Sequence, residues 1–186
     1  MRTILAMAAL AILAAQGARA AVTVLGSDSA EQCSKAAIAG KSDLADQYVC
    51  TRALNEDVLD AADRAGTFVN RGVMKLRRGE WEASHADFNA AIALEPNLGE
   101  AYLNRGAMWL GEKNYGAGLK DLDRALQLGV KEPEKAYFNR AIAYEGLDDE
   151  KAAYFDYQKA LQLKPGWILP ERELLRFHVS VEHAPS

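Results

Sequence analysis

The sequence predicts an all-α fold of stacked helix pairs, and three observations predict it. The tripeptide Asn70-Arg71-Gly72 returns as Asn104-Arg105-Gly106 and as Asn139-Arg140-Ala141, at intervals of 34 and 35 residues. Each return lies in a segment of helical periodicity, followed by a polar turn and a second such segment. The three units then stop at Glu95-Pro96, Gly129 and Lys164-Pro165, residues that end helices. A period of this size marks supersecondary units too small to bury their own apolar faces, which must therefore stack on one another.

Counted from Ala65, Gly99 and Glu134, each first helix carries an aromatic at its fourth place, in Phe68, Tyr102 and Tyr137. Four residues on stands a small residue, Gly72, Gly106 or Ala141, where two helix backbones must come close. Trp109 and Tyr144 continue that face, and Lys75 interrupts it in the first unit. Turns follow at Arg78-Gly79-Glu80, Glu112-Lys113-Asn114 and Leu147-Asp148-Asp149. The second helices set Ser84, Phe88 and Ala91, then Leu122 and Ala125, then Ala153, Tyr157 and Ala160, a spacing that keeps them on one face.

Upstream, residues 29–39 and 43–55 read as helices around a turn at Gly40-Lys41-Ser42. Residues 57–64 are acidic and helix-prone, and are expected to extend the next helix backward. Downstream, Pro170 suits a first helical position. Leu174, Leu175 and Phe177 would form the apolar side of a closing helix, and Glu171, Arg172, Glu173 and Arg176 its wet side. A terminal cap with such a polar back keeps a repeat stack soluble. The expected division is 1–20 signal peptide, 21–64 helical hairpin, 65–98, 99–133 and 134–167 repeats, 168–178 capping helix, and 179–186 loose tail.

These residues resemble the tetratricopeptide repeat, over Ala65 to Trp167. The family sets a large apolar residue, Gly or Ala, an aromatic, a small residue, another aromatic, Ala and a closing Pro. The resemblance implies a right-handed superhelix of antiparallel helix pairs, with 21–64 as a degenerate repeat and the first helices lining a concave groove. This sequence departs from the pattern at Lys75, after Leu128 where Pro is missing, and at Glu150 where Trp81 and Tyr115 set an aromatic. Arg also fills the seventh place of every unit, where the family more often has Leu. An Asp follows 16 residues later, giving Arg71/Asp87, Arg105/Asp121 and Arg140/Asp156. A partly buried Arg needs a partner, so these read as structural ion pairs within a unit or across to the next. The alternative is that the arginines are displayed for an acidic ligand.

Residues 1–20 read as an export signal, with Arg2, an apolar stretch from Ile4 to Ala15, and Ala18-Arg19-Ala20 as the cleavage site. The expected destination is a bacterial periplasm, or the medium. Removing the signal takes away two arginines and no acid, leaving 20 basic against 26 acidic side chains and a net charge of −6. That balance argues against nucleic acid and fits an anionic membrane poorly. No second apolar run suggests membrane insertion after signal removal. Cys33 and Cys50, an even pair in an exported chain, read as a disulfide. Helices antiparallel about residues 40–42 would bring them level. A thiol-exchange pair is the alternative, though the 16 intervening residues do not resemble a CxxC site.

No catalytic motif is present, and His85, His178 and His183 lack neighbours at metal-ligand spacing, so no enzyme, metal or cofactor is expected. The resemblance places the second, fifth, sixth, ninth and thirteenth positions of each unit on the concave side. The expected peptide-binding groove is an apolar strip of Val69, Val73, Leu103, Ala107, Phe138 and Ile142 beside a ladder of Asn70, Asn104 and Asn139. An Asn amide both donates and accepts, which suits the main chain of an extended peptide. Lys135 is the only basic residue at the second place, opposite Gly66 and Glu100, which disfavours a carboxylate clamp. The expected function is that of a non-catalytic adaptor binding a peptide or protein segment. The alternative is a self-associating scaffold in an envelope complex.

Overall fold

Helix boundaries in the computed structural model, which describes residues 20–177, follow the caps written in the sequence. The described residues form nine helices and no strand: α1 Asp28–Ile38, α2 Leu44–Glu56, α3 Ala61–Arg77, α4 Trp81–Leu94, α5 Gly99–Gly111, α6 Tyr115–Leu128, α7 Pro133–Gly146, α8 Glu150–Leu163 and α9 Ile168–Leu174. Ser27, Asp43, Asp60, Asn114 and Asp149 each accept a backbone N–H in the first turn of the helix they precede. The acidic turn at Asp148-Asp149-Glu150 thus does the work of a helix N-terminus. Of the expected backward extension over 57–64, residues 61–64 are helical and 57–60 are not. Asp57 ends α2 with extended backbone and Asp60 caps α3, so the acids serve two helix ends rather than one continuous helix.

Helices pack as sequential antiparallel-type pairs, α1 on α2, α3 on α4, α5 on α6 and α7 on α8, and each pair meets the next. The first helices α1, α3, α5 and α7 also touch in succession, forming one continuous layer. Close approach within a pair depends on missing side chains. A Cβ on Gly72 would fall 2.6 Å from the Phe88 ring, and one on Gly106 would fall 2.8 Å from Leu122 Cγ. Phe88, Leu122 and Tyr157 are fully buried at these three crossings. Burying such side chains contributes roughly 1.5–3 kcal/mol each, which is where most of the stack's stability arises.

The three arginines hold the stack in register. Each chelates the Asp of its own unit through Nε and Nη2, at 2.7–3.0 Å. Each also sends Nη1 to the preceding unit, Arg71 to Thr51 Oγ1, Arg105 to Asn89 Oδ1 and Arg140 to Asp123 Oδ1. The guanidinium lies 5.3–5.6 Å from the aromatic at the fourth place, Phe68, Tyr102 or Tyr137. The hydrogen bonds to Asp121 and Asp156 outweigh partial burial and hold Arg105 and Arg140 above the ordinary guanidinium value. The acid is thus met within the unit, and the same guanidinium also bridges to the unit before. Lys75, the interruption of the first unit's aromatic face, is a second cation on Asp87 at 2.8 Å.

The two ends are closed differently. Cys33 and Cys50 join α1 to α2, both fully buried, with Met74 Sδ of α3 lying 3.7 Å from Cys50 Sγ. At the other end α9 is shorter than the expected 168–178, and Pro170 is its third residue, still inside the first turn where no N–H is required. Leu174 and Phe177 pack on the core, with Phe177 5.7 Å from Tyr154 and 6.0 Å from Tyr157. Leu175 is exposed, because the helix has already ended and the chain turns there. Glu173, expected on the wet side, is instead buried and paired with Arg176, which also reaches Glu145. His178, His183 and the tail at 179–186 lie outside the described residues, as do residues 1–19 of the signal expectation.

Candidate functional site

The successive first helices give the site its spacing. Asn70 on α3, Asn104 on α5 and Asn139 on α7 hold equivalent places on one layer of helices, flanked by Val69 and Val73, Leu103 and Ala107, and Phe138 and Ile142. All nine side chains are buried, Asn included. Such an apolar-and-amide face would ordinarily be displayed on a concave surface. What covers part of it is the chain itself. Residues 20–26 precede α1 with no regular secondary structure and run along this face.

The bonds made by that arm define a register. Val22 N donates to Asn70 Oδ1 and Asn70 Nδ2 donates to Val22 O, both at 2.8 Å, so one amide reads both main-chain groups of one residue. Asn104 Nδ2 donates to Ala20 O at 2.9 Å. On the other side, Val24 N donates to Ser34 Oγ at 3.3 Å, and Ser34 Oγ donates to Val22 O at 2.9 Å. Ser34 is on α1, the first helix of the hairpin, and occupies the ladder's place in that degenerate unit. Four rungs, Ser34, Asn70, Asn104 and Asn139, thus follow in chain order. The arm advances two residues per rung, as an extended strand with alternating faces does.

From Val22 onward side-chain burial alternates to match, Ala21 before it being half-buried like Val22. Val24 and Ala20 are buried and Val22 is half-buried, whereas Thr23 and Leu25 are exposed. Gly66 on α3 makes room for the arm: a Cβ there would sit 2.8 Å from Val24 Cγ2 and 3.2 Å from Val22 Cγ1. The two ladder amides nearest the third repeat are left partly unbonded. Asn104 Oδ1 and both polar atoms of Asn139 are buried with no hydrogen-bond partner among the described residues.

Beside the arm a cleft of about 320 Å³ is lined by Ala20, Ala21, Ile38, Glu100 and Lys135, among others. Lys135 is paired with Glu132 at 2.6 Å, and Glu100 accepts from Lys131 N. His85 is on α4, away from the ladder, edge-on to Trp109 at 4.8 Å. Among the described residues no group of three or more His, Cys, Asp or Glu is placed to hold a metal. No helix there is long and apolar enough to cross a membrane.

Sequence reasoning missed the arm and Ser34. The β-branched run Val22-Thr23-Val24 was a signal for extended backbone in an otherwise helical chain. Ser34 gave no such signal, because the degenerate hairpin has lost the tripeptide that sets the frame.

The chain matches no family profile. It is 36% identical over 113 residues to sperm-associated antigen 1 of Rattus norvegicus, a match taking in 55% of this chain and 12% of that protein. Human serine/threonine-protein phosphatase 5 is 33% identical over 86 residues, or 46% of this chain and 17% of the phosphatase. The chain therefore spans less than a fifth of the length of these relatives. Of solved structures, MamA from Desulfovibrio magneticus RS-1 superposes with a TM-score of 0.64 at 19% identity, over 81% of this chain and 84% of that one, a likeness of fold. The Arabidopsis OM64 TPR domain superposes with a TM-score of 0.58 at 25% identity, over 64% of this chain and 99% of that domain. Helix pairing and these likenesses together define an all-α solenoid of the protein-interaction type. Its helix pairs have the tetratricopeptide-repeat fold, as in the OM64 TPR domain.

Proposed function

We propose that this protein is a non-catalytic, exported adaptor that holds an extended peptide or protein segment along its line of first helices. The observation that carries the reading is the bonding of Val22 and Val24 to Asn70 and Ser34. A face that takes its own extended main chain by main-chain hydrogen bonds has the chemistry to take another. The buried disulfide of Cys33 and Cys50 is in keeping with an oxidising compartment, and N-terminal sequencing of the exported form, expected to begin at Ala21, tests that part. Carboxyl pairs such as Asp148-Asp149 stand at a helix N-terminus, where capping accounts for them.

The adaptor reading is tested by cross-linked capture from an envelope extract. The unaltered chain is compared with an Asn70→Ala/Asn104→Ala/Asn139→Ala variant whose helicity and melting are unchanged. A partner captured by the first and lost by the second, with cross-links mapping to α3, α5 and α7, supports the adaptor. Capture of the same set by both, or of other copies of this chain alone, replaces it with the scaffold reading.

A further inference from the structure

We infer that residues 21–25 are a resident competitor for the groove, and that the partner which displaces them is an extended segment with small or β-branched apolar residues at alternate positions. This inference rests on the adaptor reading and names both its regulation and its ligand class.

The side-chain preference comes from the fit of the arm. Val22 and Val24 turn toward the helices, while Thr23 and Leu25 turn away, Leu25 with 79% exposure. Val22 and Val24 lie against the bare backbone of Gly66, and even one added carbon there would come within 2.8 Å of Val24. Space at those two positions therefore ends at about the size of Val. A long, flat or charged residue has no place in it. The other determinant is backbone: the Asn and Ser rungs read N–H and C=O, which any extended segment presents at the same two-residue interval.

The arm is a competitor rather than a fixed part of the fold for two reasons. First, it is held by few bonds, four to the two rungs Asn70 and Ser34, and belongs to no helix pair, its core contacts resting on Val22 and Val24. Second, it leaves the ladder incompletely used. Among the described residues Asn139 is fully buried with neither amide group bonded, and Asn104 Oδ1 is unbonded too. A segment long enough to meet all four rungs makes bonds that the arm does not make, and unsatisfied buried amides favour the exchange. Until such a segment arrives, the tethered arm has the advantage of a high local concentration.

The probe is a fluorescein-labelled peptide of the arm's own sequence, Ala21 to Leu25, followed by anisotropy. It is titrated into the unaltered chain and into a Val22→Pro variant, which lacks the N–H that Asn70 accepts but keeps an apolar side chain. The variant is expected to bind the probe at least ~10-fold more tightly, since its tethered competitor is weakened. Adding Asn70→Ala to that variant is expected to remove the gain. The same peptide with Asp in place of both valines is expected not to bind. Equal affinity for altered and unaltered chains overturns the competitor while leaving the adaptor standing. No binding to either chain, both correctly folded, overturns the adaptor and this inference with it. A second measurement needs no variant. Saturating the unaltered chain with probe should speed hydrogen exchange at the Val22 and Val24 amides as the arm leaves. Continued protection of those amides while the probe is bound overturns displacement.

Discussion

Asp121→Ala isolates the ion pair that recurs in every unit. Asp121 accepts Arg105 Nε at 2.7 Å and Nη2 at 2.8 Å, with a side chain only one-tenth exposed. The substitution leaves the guanidinium with Asn89 and the face of Tyr102. Removing one partner of a fully buried pair costs about 3–5 kcal/mol, because a charge is stranded. Arg105 keeps 21% of its side-chain exposure, so water recovers part of that loss, and about 2–3 kcal/mol is expected. Replacing both partners is a different perturbation. In Arg105→Met/Asp121→Ala no charge remains buried, and a flexible apolar chain still covers Tyr102, so the double variant should lose only about 1 kcal/mol. Urea unfolding followed by far-UV circular dichroism measures all three. A single variant within about 0.5 kcal/mol of the unaltered chain, or a double variant that loses the sum of its two parts, refutes the reasoning.

Other expectations follow from the same contacts. Gly106→Trp drives a ring into Leu122 and the Gly118 carbonyl, 2.8 Å and 3.3 Å from the first added carbon. Because each unit stands on its neighbours, melting should fall for the whole array; a normal transition would overturn the helix frame. Cys33→Ala/Cys50→Ala opens a loop of 17 residues and should cost on the order of 3 kcal/mol, measured by the same unfolding, with the hairpin's amides losing protection first. Burial raises the Glu145 carboxyl above its ordinary value of 4.5 despite the hydrogen bonds from Tyr157 and Arg176. The folded chain therefore binds the proton more tightly than the unfolded one, and stability from this group is present below 4.5 and lost as pH rises through the folded value. Relative to Glu145→Gln, the unaltered chain should lose melting temperature across that rise and hold steady beyond it; a difference flat with pH would refute this.

Much of the fold was legible because the repeat multiplies weak signals. Phe68, Tyr102 and Tyr137 say little singly, but their recurrence with Gly72, Gly106 and Ala141 fixes which face each helix buries. Spacing also paired Arg with Asp, since 16 residues carry the chain from one helix to the facing place on the next. What spacing does not encode is how one side chain divides its donors, so the bridge from each arginine to the preceding unit came only from the packing. At the ends the frame runs out. Nothing in the sequence told that Leu175 would fall beyond α9, or that Glu173 would be buried with Arg176. The ladder of Asn70, Asn104 and Asn139 was readable; that residues 20–24 lie on it was not. That contact joins positions up to 84 apart, and no local pattern records it.

The central claim is that the Asn ladder holds extended main chain, and the most direct measurement is amide hydrogen exchange along residues 21–25. Val22 N–H and Val24 N–H are held by Asn70 and Ser34, so both should exchange slowly in the unaltered chain. Asn70→Ala should release Val22 fully and Val24 only in part. Exchange of both amides at the rate of an unstructured peptide in the unaltered chain would contradict the account.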